Sequence, residues 1–263
     1  MHFFINIMTT FCLEAGINHF GRIKEANKIL DYFLKSKFDN LTFMLHTEKF
    51  YQKHLKKNIN FTLGKKFYEN AIKKCRKKRK KIGMAVCSKK TFQHFSDLNF
   101  DFYKLLSVAL NQSDLIKEIN KKNKPIFISL GVKSSDNKIK KCLKLINDKK
   151  KVRLLHTPMT YEFNELNFER IDYLRKKFKL SVGYSNHNND KNTLNLLSFF
   201  KPSAIFLYCK VARKKNRIYP DNDHAFFLDE LDKIIENYKK YSAIFIKPKK
   251  IKKVKIFANE FKF

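Results

Sequence analysis

Residues 14–36 read EAGINHFGRIKEANKILDYFLKS, and this stretch decides the fold class because it joins the end of an apolar run to an amphipathic helix pattern. The apolar run, which begins MHFFINIM, is typical of a buried first strand. The helix pattern at 22–36 places apolar side chains on one face, namely Ile23, Ala26, Ile29, Leu30 and Phe33. A strand followed by such a helix is one repeating unit of a parallel sheet.

The same alternation recurs along the chain and gives eight candidate strands. They are predicted to end near Glu14, Leu45, Cys87, Ser107, Leu130, Thr157, Ser185 and Cys209. A second helix pattern at 134–148 begins with Ser134, Ser135 and Asp136, which can all serve as N-caps. Eight strands alternating with helices predict a (β/α)8 TIM barrel, here over residues 1–245 and followed by a basic tail at 246–263.

Composition limits the classes of function. The net charge is +33, but the lysines are spread over the whole chain, and no apolar run approaches the ~20 residues of a membrane-spanning helix. The densest basic run, KKCRKKRKK at 73–81, is predicted to be a solvated helix end rather than a nucleic-acid patch. We therefore predict no membrane span and no specific nucleic-acid partner.

The five cysteines indicate reduced thiols. They are odd in number, widely scattered and lack a CxxC spacing, which argues against a disulfide framework or a zinc ribbon. The start of the chain lacks the basic region of a signal peptide. Both features predict a cytoplasmic protein.

Polar residues stand where the predicted strands end. They are Lys104, Ser107, Ser129, His156, Ser185 and His187. Each alone is more often a turn former or a satisfied core residue. Because the carboxyl ends of all strands meet at one mouth of a barrel, six such residues together predict a polar site there.

Five motifs connect these positions to a known family. They are EAGINHFG at 14–21, KPIFISLG at 124–131, LLHT at 154–157, VGYSNH at 182–187 and YPDNDH at 219–224. In this order they are similar to E-I-G-x-N-H-x-G, K-P-I-I-L-S-T-G, L-L-H-C, V-G-Y-S-D-H and P-G-P-D-H. Over about residues 9–240, the chain resembles the sialic acid synthase (N-acetylneuraminate synthase, NeuB-like) family.

The resemblance implies a condensation in carbohydrate biosynthesis. C3 of phosphoenolpyruvate attacks the aldehyde of an N-acyl amino sugar, a divalent Mn or Mg ion polarises that aldehyde, and water completes the loss of phosphate. Phosphate calls for a cation with hydroxyl donors, and the resemblance assigns this role to Lys104, Ser107, Ser129 and Ser185. It also assigns catalytic roles to Glu14, His187 and Tyr161, metal binding to His187, and sugar binding to Asp223.

The sequence also departs from the family pattern. Thr42 and Met44 replace a lysine and a glutamine, Ala109 replaces a glutamate, and Lys210 and Ala212 replace a glutamate and the second metal-binding histidine. His187 is therefore predicted to be half of a metal site. We also expect the protein to be without the small C-terminal antifreeze-like domain that, in the family, supplies an arginine to the sugar site of a partner subunit.

These departures leave several interpretations open. Asp223 or Glu14 can complete a metal site, or the ammonium of Lys210 can occupy the place of the metal, whereas strand alternation turns Cys209 outward. The chain is then either an active synthase, with a homodimer possible, or a degenerate relative that binds an anion or a partner. A basic nucleic-acid binder, supported only by charge, ranks last.

Overall fold

The computed structural model describes residues 9–48, 60–213 and 218–244. Its strands are β1 (Thr10–Glu14), β2 (Asn40–Met44), β3 (Lys81–Val86), β4 (Phe102–Leu105), β5 (Ile126–Leu130), β6 (Val152–His156), β7 (Ser181–Ser185), β8 (Ala204–Lys210) and the short β9 (Phe226–Phe227). Its helices are α1 (Ile23–Lys35), α2 (Lys65–Lys77), α3 (Lys89–His94), α4 (Ser113–Lys121), α5 (Asp136–Lys144), α6 (Glu169–Phe178), α7 (Lys191–Leu197) and α8 (Leu228–Ile244).

The first eight strands form a closed parallel barrel. Each strand pairs with the next in sequence order, and β1 closes the sheet by pairing with β8 in the register Thr10↔Ala204 to Glu14↔Tyr208. Helices connect the strands on the outside, so the predicted (β/α)8 TIM barrel is confirmed. The two residues of β9 add to the end of β8, with Lys210 opposite Phe227.

The predicted strand ends agree with the structure to within two residues, whereas one predicted helix end differs by four. The helix predicted at 22–36 spans Ile23–Lys35, and the one predicted at 134–148 spans Asp136–Lys144 with Ser135 as its N-cap. The basic run at 73–81 was predicted to lie on one helix end, and this is correct only for its first half. The helix ends at Lys77, and Arg79 adopts a left-handed φ of 55° that reverses the chain into β3.

Aromatic and aliphatic side chains fill the inside of the barrel. This inner cluster comprises Cys12, Phe102, Phe127, Leu155, Ala204 and Phe206. The ring of Phe127 lies 5.3 Å from that of Phe102 and 5.1 Å from that of Phe206, both edge to face. Because side chains alternate along a strand, residues two positions further on face the interior one layer nearer the mouth.

The remaining sequence predictions concern the cysteines, a membrane span and the domain boundaries. The five cysteines are free, and Cys209 lies in the outer core between barrel and helices, as strand alternation predicted. No helix in the described ranges is long and apolar enough to cross a membrane. The predicted tail at 246–263 and the first eight residues lie outside the described residues, so the domain boundaries stay a prediction.

Candidate functional site

An ion pair is buried at the centre of the barrel mouth. The ammonium of Lys104, on β4, pairs with Oε2 of Glu14, at the end of β1, and each side chain is only 1% exposed. Lys104 Nζ also donates to Ser185 Oγ at 3.2 Å and lies 4.5 Å from the centre of the Phe206 ring. The fold therefore brings three predicted site residues, from β1, β4 and β7, into direct contact.

Hydroxyl groups lie beside this ion pair. Ser129, on β5, and Thr42, opposite Glu14 on β2, both have buried oxygens that bond to none of the described residues. Ser107 is half-buried in the turn after β4, and its Oγ lies 3.1 Å from where a Cβ on Gly131 would stand. In the sequence, Thr42 indicates only that a lysine of the family pattern is replaced. In the structure, its inward position on β2 adds a hydroxyl to the site.

His187 is buried beside the aromatic ring of Tyr208. Its Nδ1 lies 3.2 Å from the carbonyl oxygen of Ser185, and its ring centre lies 5.3 Å from that of Tyr208. Burial, followed by the nearby His224 and Lys104, lowers the pKa of His187 to about 3. The imidazole is therefore neutral, and when Nδ1–H donates to the carbonyl, Nε2 carries a free lone pair.

Two side chains of the 219–224 segment enter the mouth, and the sequence reasoning missed both. The ring of His224 lies 4.8 Å from that of His187, and its Nε2 lies 3.7 Å from Oδ1 of Asp221. Burial, followed by the nearby Glu14 carboxylate, raises the pKa of Asp221 to about 7. The available signal was the motif YPDNDH, from which the sequence reasoning took only Asp223.

Asn18 fixes Asp221 in place. Its Nδ2 donates to the carbonyl of Cys209 at 2.8 Å, and its Oδ1 accepts from the backbone N–H of Asp221 at 2.9 Å. Gly16 provides the room, because a Cβ there would lie 2.3 Å from Asp221 Oδ2, and its φ of 51° also favours glycine. Two residues of the EAGINHFG motif thus position a carboxylate located about 200 residues later.

Lys210 holds the same segment from the other side. Its Nζ donates to the carbonyl oxygen of Asn222 at 3.0 Å and lies 4.6 Å from the centre of the Phe227 ring. Tyr219 OH donates to the carbonyl of Ala212 at 3.0 Å and accepts from its N–H at 3.1 Å. The residues at the two replaced family positions therefore support the loop that carries Asp221 and His224.

Two of the predicted site residues remain outside the buried group. Tyr161 is 55% exposed, and its carbonyl oxygen accepts from Asn188 Nδ2 at 3.1 Å. Asp223 is exposed, and its Oδ1 accepts from Asn222 Nδ2 at 3.3 Å. Both lie on segments that follow barrel strands, so their predicted substrate contacts stay predictions.

The sequence reasoning was wrong about His156, which it placed in the mouth. Leu155 points into the barrel, so the next residue on β6 points outward. The His156 ring packs 5.8 Å from that of Tyr184, and its Nε2 bonds to the carbonyl of Leu166 at 2.8 Å. This histidine belongs to the layer between barrel and helices.

A comparison with models of protein families identifies the family of this chain. A model of the NeuB family matches residues 21–250. The chain belongs to the NeuB family. The resemblance to sialic acid synthases is thereby confirmed.

Relatives of this NeuB family chain include two curated proteins. The N,N'-diacetyllegionaminic acid synthase of Campylobacter jejuni is 25% identical over 203 residues, which cover 68% of this chain and 60% of the relative. The spore coat polysaccharide biosynthesis protein SpsE of Bacillus subtilis is 24% identical over 258 residues, covering 88% and 66%. The NeuB family chain therefore spans less than two thirds of the length of either relative.

Solved structures share the barrel. The N-acetylneuraminic acid synthetase of Leptospira borgpetersenii, in complex with citrate, superposes with a TM-score of 0.82 at 19% identity, covering 97% of this chain and 92% of that one. A truncated 3-deoxy-D-arabino-heptulosonate 7-phosphate synthase of Thermotoga maritima gives 0.69 at 13% identity, covering 91% and 88%. At such identities these likenesses show the fold alone.

The mouth does not fit the divalent metal that the NeuB resemblance implies. Across the described ranges, no three His, Cys, Asp or Glu side chains form a group that could hold an ion. His187 and His224 offer two nitrogens, but Glu14 is already paired with Lys104, and Asp223 is exposed. The described residues therefore do not provide a complete set of metal ligands at this mouth.

Stability of this NeuB family chain is expected to fall as pH falls from about 6.5 to about 4. Burial lowers the pKa of His156 to about 4, so in that interval the unfolded chain binds the proton and the folded chain does not. This contribution of His156 to the free energy of unfolding is fully present above the pKa of His156 in the unfolded chain. It is lost as the pH falls from that value toward the pKa of His156 in the folded chain. Urea unfolding at pH 7.5, 6 and 4.5 tests this, with His156→Gln expected to reduce the loss by about 2–3 kcal/mol.

A matched variant separates this effect from general acid sensitivity. His94 is an exposed residue at the end of helix α3, so His94→Gln should leave the pH dependence of stability unchanged. Equal pH slopes for His156→Gln and the wild type would contradict the assignment.

Proposed function

We propose that this chain is a sugar-acid synthase that joins C3 of phosphoenolpyruvate to the aldehyde carbon of an N-acyl amino sugar. The observation that carries the proposal is the buried ammonium of Lys104, which donates to the hydroxyl of Ser185 in the mouth of a NeuB family barrel. Family membership supports the reaction class, and the names of the relatives place them in carbohydrate biosynthesis.

Lys104 is suited to bind an anion although it is already paired. An ammonium has three N–H donors, of which one is used by Glu14 and one by Ser185. The third is free to meet a phosphate or carboxylate oxygen. Ser129 has a buried hydroxyl with no partner among the described residues, so it can donate to the same anion.

A second candidate function is an anion-binding barrel without catalytic activity. Its support is the set of replaced family positions, above all Ala212 and Lys210, which here serve to hold the 219–224 segment. Glu14 also neutralises the charge of Lys104, which weakens the pull on an incoming anion. Both functions require the same anion site, and they differ in whether a carbon–carbon bond forms.

The deciding experiment incubates the purified full-length chain with phosphoenolpyruvate and a panel of N-acyl hexosamines, with Mn²⁺ in one arm and EDTA in the other. The synthase proposal expects phosphate release that depends on the sugar, together with a product whose mass equals that of the sugar plus pyruvate. Binding of phosphoenolpyruvate without release would favour the non-catalytic barrel. Absence of any binding would contradict both.

Ser129→Ala is expected to weaken binding of phosphoenolpyruvate by about 10–100-fold without lowering the melting temperature. A hydrogen bond to a charged group contributes about 1.5–3 kcal/mol, whereas the deleted hydroxyl bonds to nothing in the described parts of the protein. Calorimetry and thermal unfolding measure the two effects.

Ser203→Ala is the matched control. Ser203 also has a buried hydroxyl that bonds to no described residue, but it precedes β8 at the opposite end of the barrel. It should therefore leave the affinity unchanged. Equal affinities for Ser129→Ala and the control would remove Ser129 from the anion site.

A further inference from the structure

Two carboxylate oxygens in the barrel mouth lack a hydrogen-bond donor. Oε1 of Glu14 and Oδ2 of Asp221 are both buried, and neither bonds to any residue that the structure describes. Buried polar atoms in native proteins almost always have a partner. In the ionised form of each side chain both atoms are acceptors, so a group that brings hydrogen-bond donors would satisfy them.

Asp221 differs from Glu14 because no Lys or Arg of the described ranges forms an ion pair with it. The ammonium of Lys104 is committed to Glu14. Among the described residues, the ion-pair contact of Asp221 is with His224, whose Nε2 lies 3.7 Å from Oδ1 of Asp221. This side of the mouth therefore offers hydrogen-bond acceptors to donors such as hydroxyl groups.

Contacts with three other parts of the chain fix the position of Asp221. Asn18 holds its backbone N–H, Gly16 makes space for its carboxylate, and Lys210 holds the neighbouring carbonyl of Asn222. The side chains of Asp221 and His224 keep 16% and 12% exposure, so they reach the open edge of the mouth. In the motif YPDNDH, Asp221 stands where the family pattern P-G-P-D-H has its glycine.

We infer that Asp221, together with His224, accepts hydrogen bonds from hydroxyl groups of a polyhydroxylated substrate, and this inference rests on the proposed function. The mouth then has two halves. Lys104 and the hydroxyls of Ser129 and Ser185 take the anion, while Asp221 and His224 take the sugar.

The test measures binding of N-acetylmannosamine and of inorganic phosphate to the full-length chain by calorimetry. Asp221→Asn keeps the shape of the side chain but exchanges one acceptor oxygen for a donor, so the affinity for N-acetylmannosamine is expected to fall by about 10–100-fold. The affinity for phosphate and the melting temperature should not decrease. Asp229→Asn is the control, since Asp229 is exposed and pairs with Arg213 on the surface.

The outcomes separate this inference from the proposed function. The role of Asp221 is overturned if Asp221→Asn leaves the sugar affinity unchanged, or if the wild type does not bind N-acetylmannosamine. Phosphate binding is a separate measurement that reports only on the anion site of the proposed function. If the wild type instead binds Mn²⁺ tightly and Asp221→Asn abolishes this, the carboxylate is a metal ligand and the inference is wrong. A lower melting temperature accompanying a lower affinity for both probes would show a structural role and would also overturn it.

Discussion

Lys104→Met is expected to destabilise the protein by about 3–5 kcal/mol, the largest effect among the single substitutions considered. Both partners of the Lys104–Glu14 pair are 1% exposed, so removing the ammonium leaves an uncompensated carboxylate in the interior. Oε1 of Glu14 already lacks a donor in the described structure, and the variant would isolate Oε2 as well. Urea unfolding followed by circular dichroism measures the loss.

The paired variant Glu14→Gln with Lys104→Met tests the cause. If the buried charge is responsible, neutralising both members should recover most of the stability, because uncharged side chains of similar volume often replace a buried pair at little cost. If the double variant is as unstable as Lys104→Met alone, then lost packing against Phe206 and Tyr208 explains the effect instead.

Gly183→Ala is expected to lower the free energy of unfolding by about 3 kcal/mol and to disturb the closure of the barrel. A Cβ at this position would lie 2.6 Å from the carbonyl oxygen of Ala204 and 2.8 Å from Cδ2 of Leu155. The first contact is with backbone, which cannot move without opening the pairing of β7 with β8. Overpacking typically costs 1–3 kcal/mol, and the upper end applies because strands must shift.

Gly64→Ala is the matched control, since no atom lies within 4 Å of a Cβ built there. Its unfolding free energy should change by less than about 1 kcal/mol. Gly183→Ala should also weaken phosphate binding, because Ser185 follows two residues later on the same strand. A Gly183→Ala protein as stable as the control would show that β7 and β8 can separate freely at this point.

Much of the fold could be predicted because it depends on local periodicity. The helix over Ile23–Lys35 and the N-cap at Ser135 were predictable from apolar spacing and residue type. Strand alternation likewise predicted that Cys209 faces outward. The prediction for His156 was wrong although the same alternation was available, because a polar residue at a strand end was assumed to face the mouth without reference to Leu155.

The candidate site was predictable only in part. The inward residues Glu14, Lys104 and Ser185 follow from their places on strands, and the structure brings them together. The roles of Asp221 and His224 were missed because both lie on an irregular segment, where no periodicity states which side chains turn inward. The assigned substrate contacts of Tyr161 and Asp223 stay predictions for the same reason.

The sequence by itself determined the barrel, the order of its strands and the layer of side chains at its mouth, because alternating and helical periods are local properties of the chain. Only the tertiary structure decided how the charges are paired and which acid enters the site. Asn18 bonds to Asp221 across 203 residues, and Lys104 pairs with Glu14 across 90. Such contacts form only when the barrel closes and brings the ends of distant strands together.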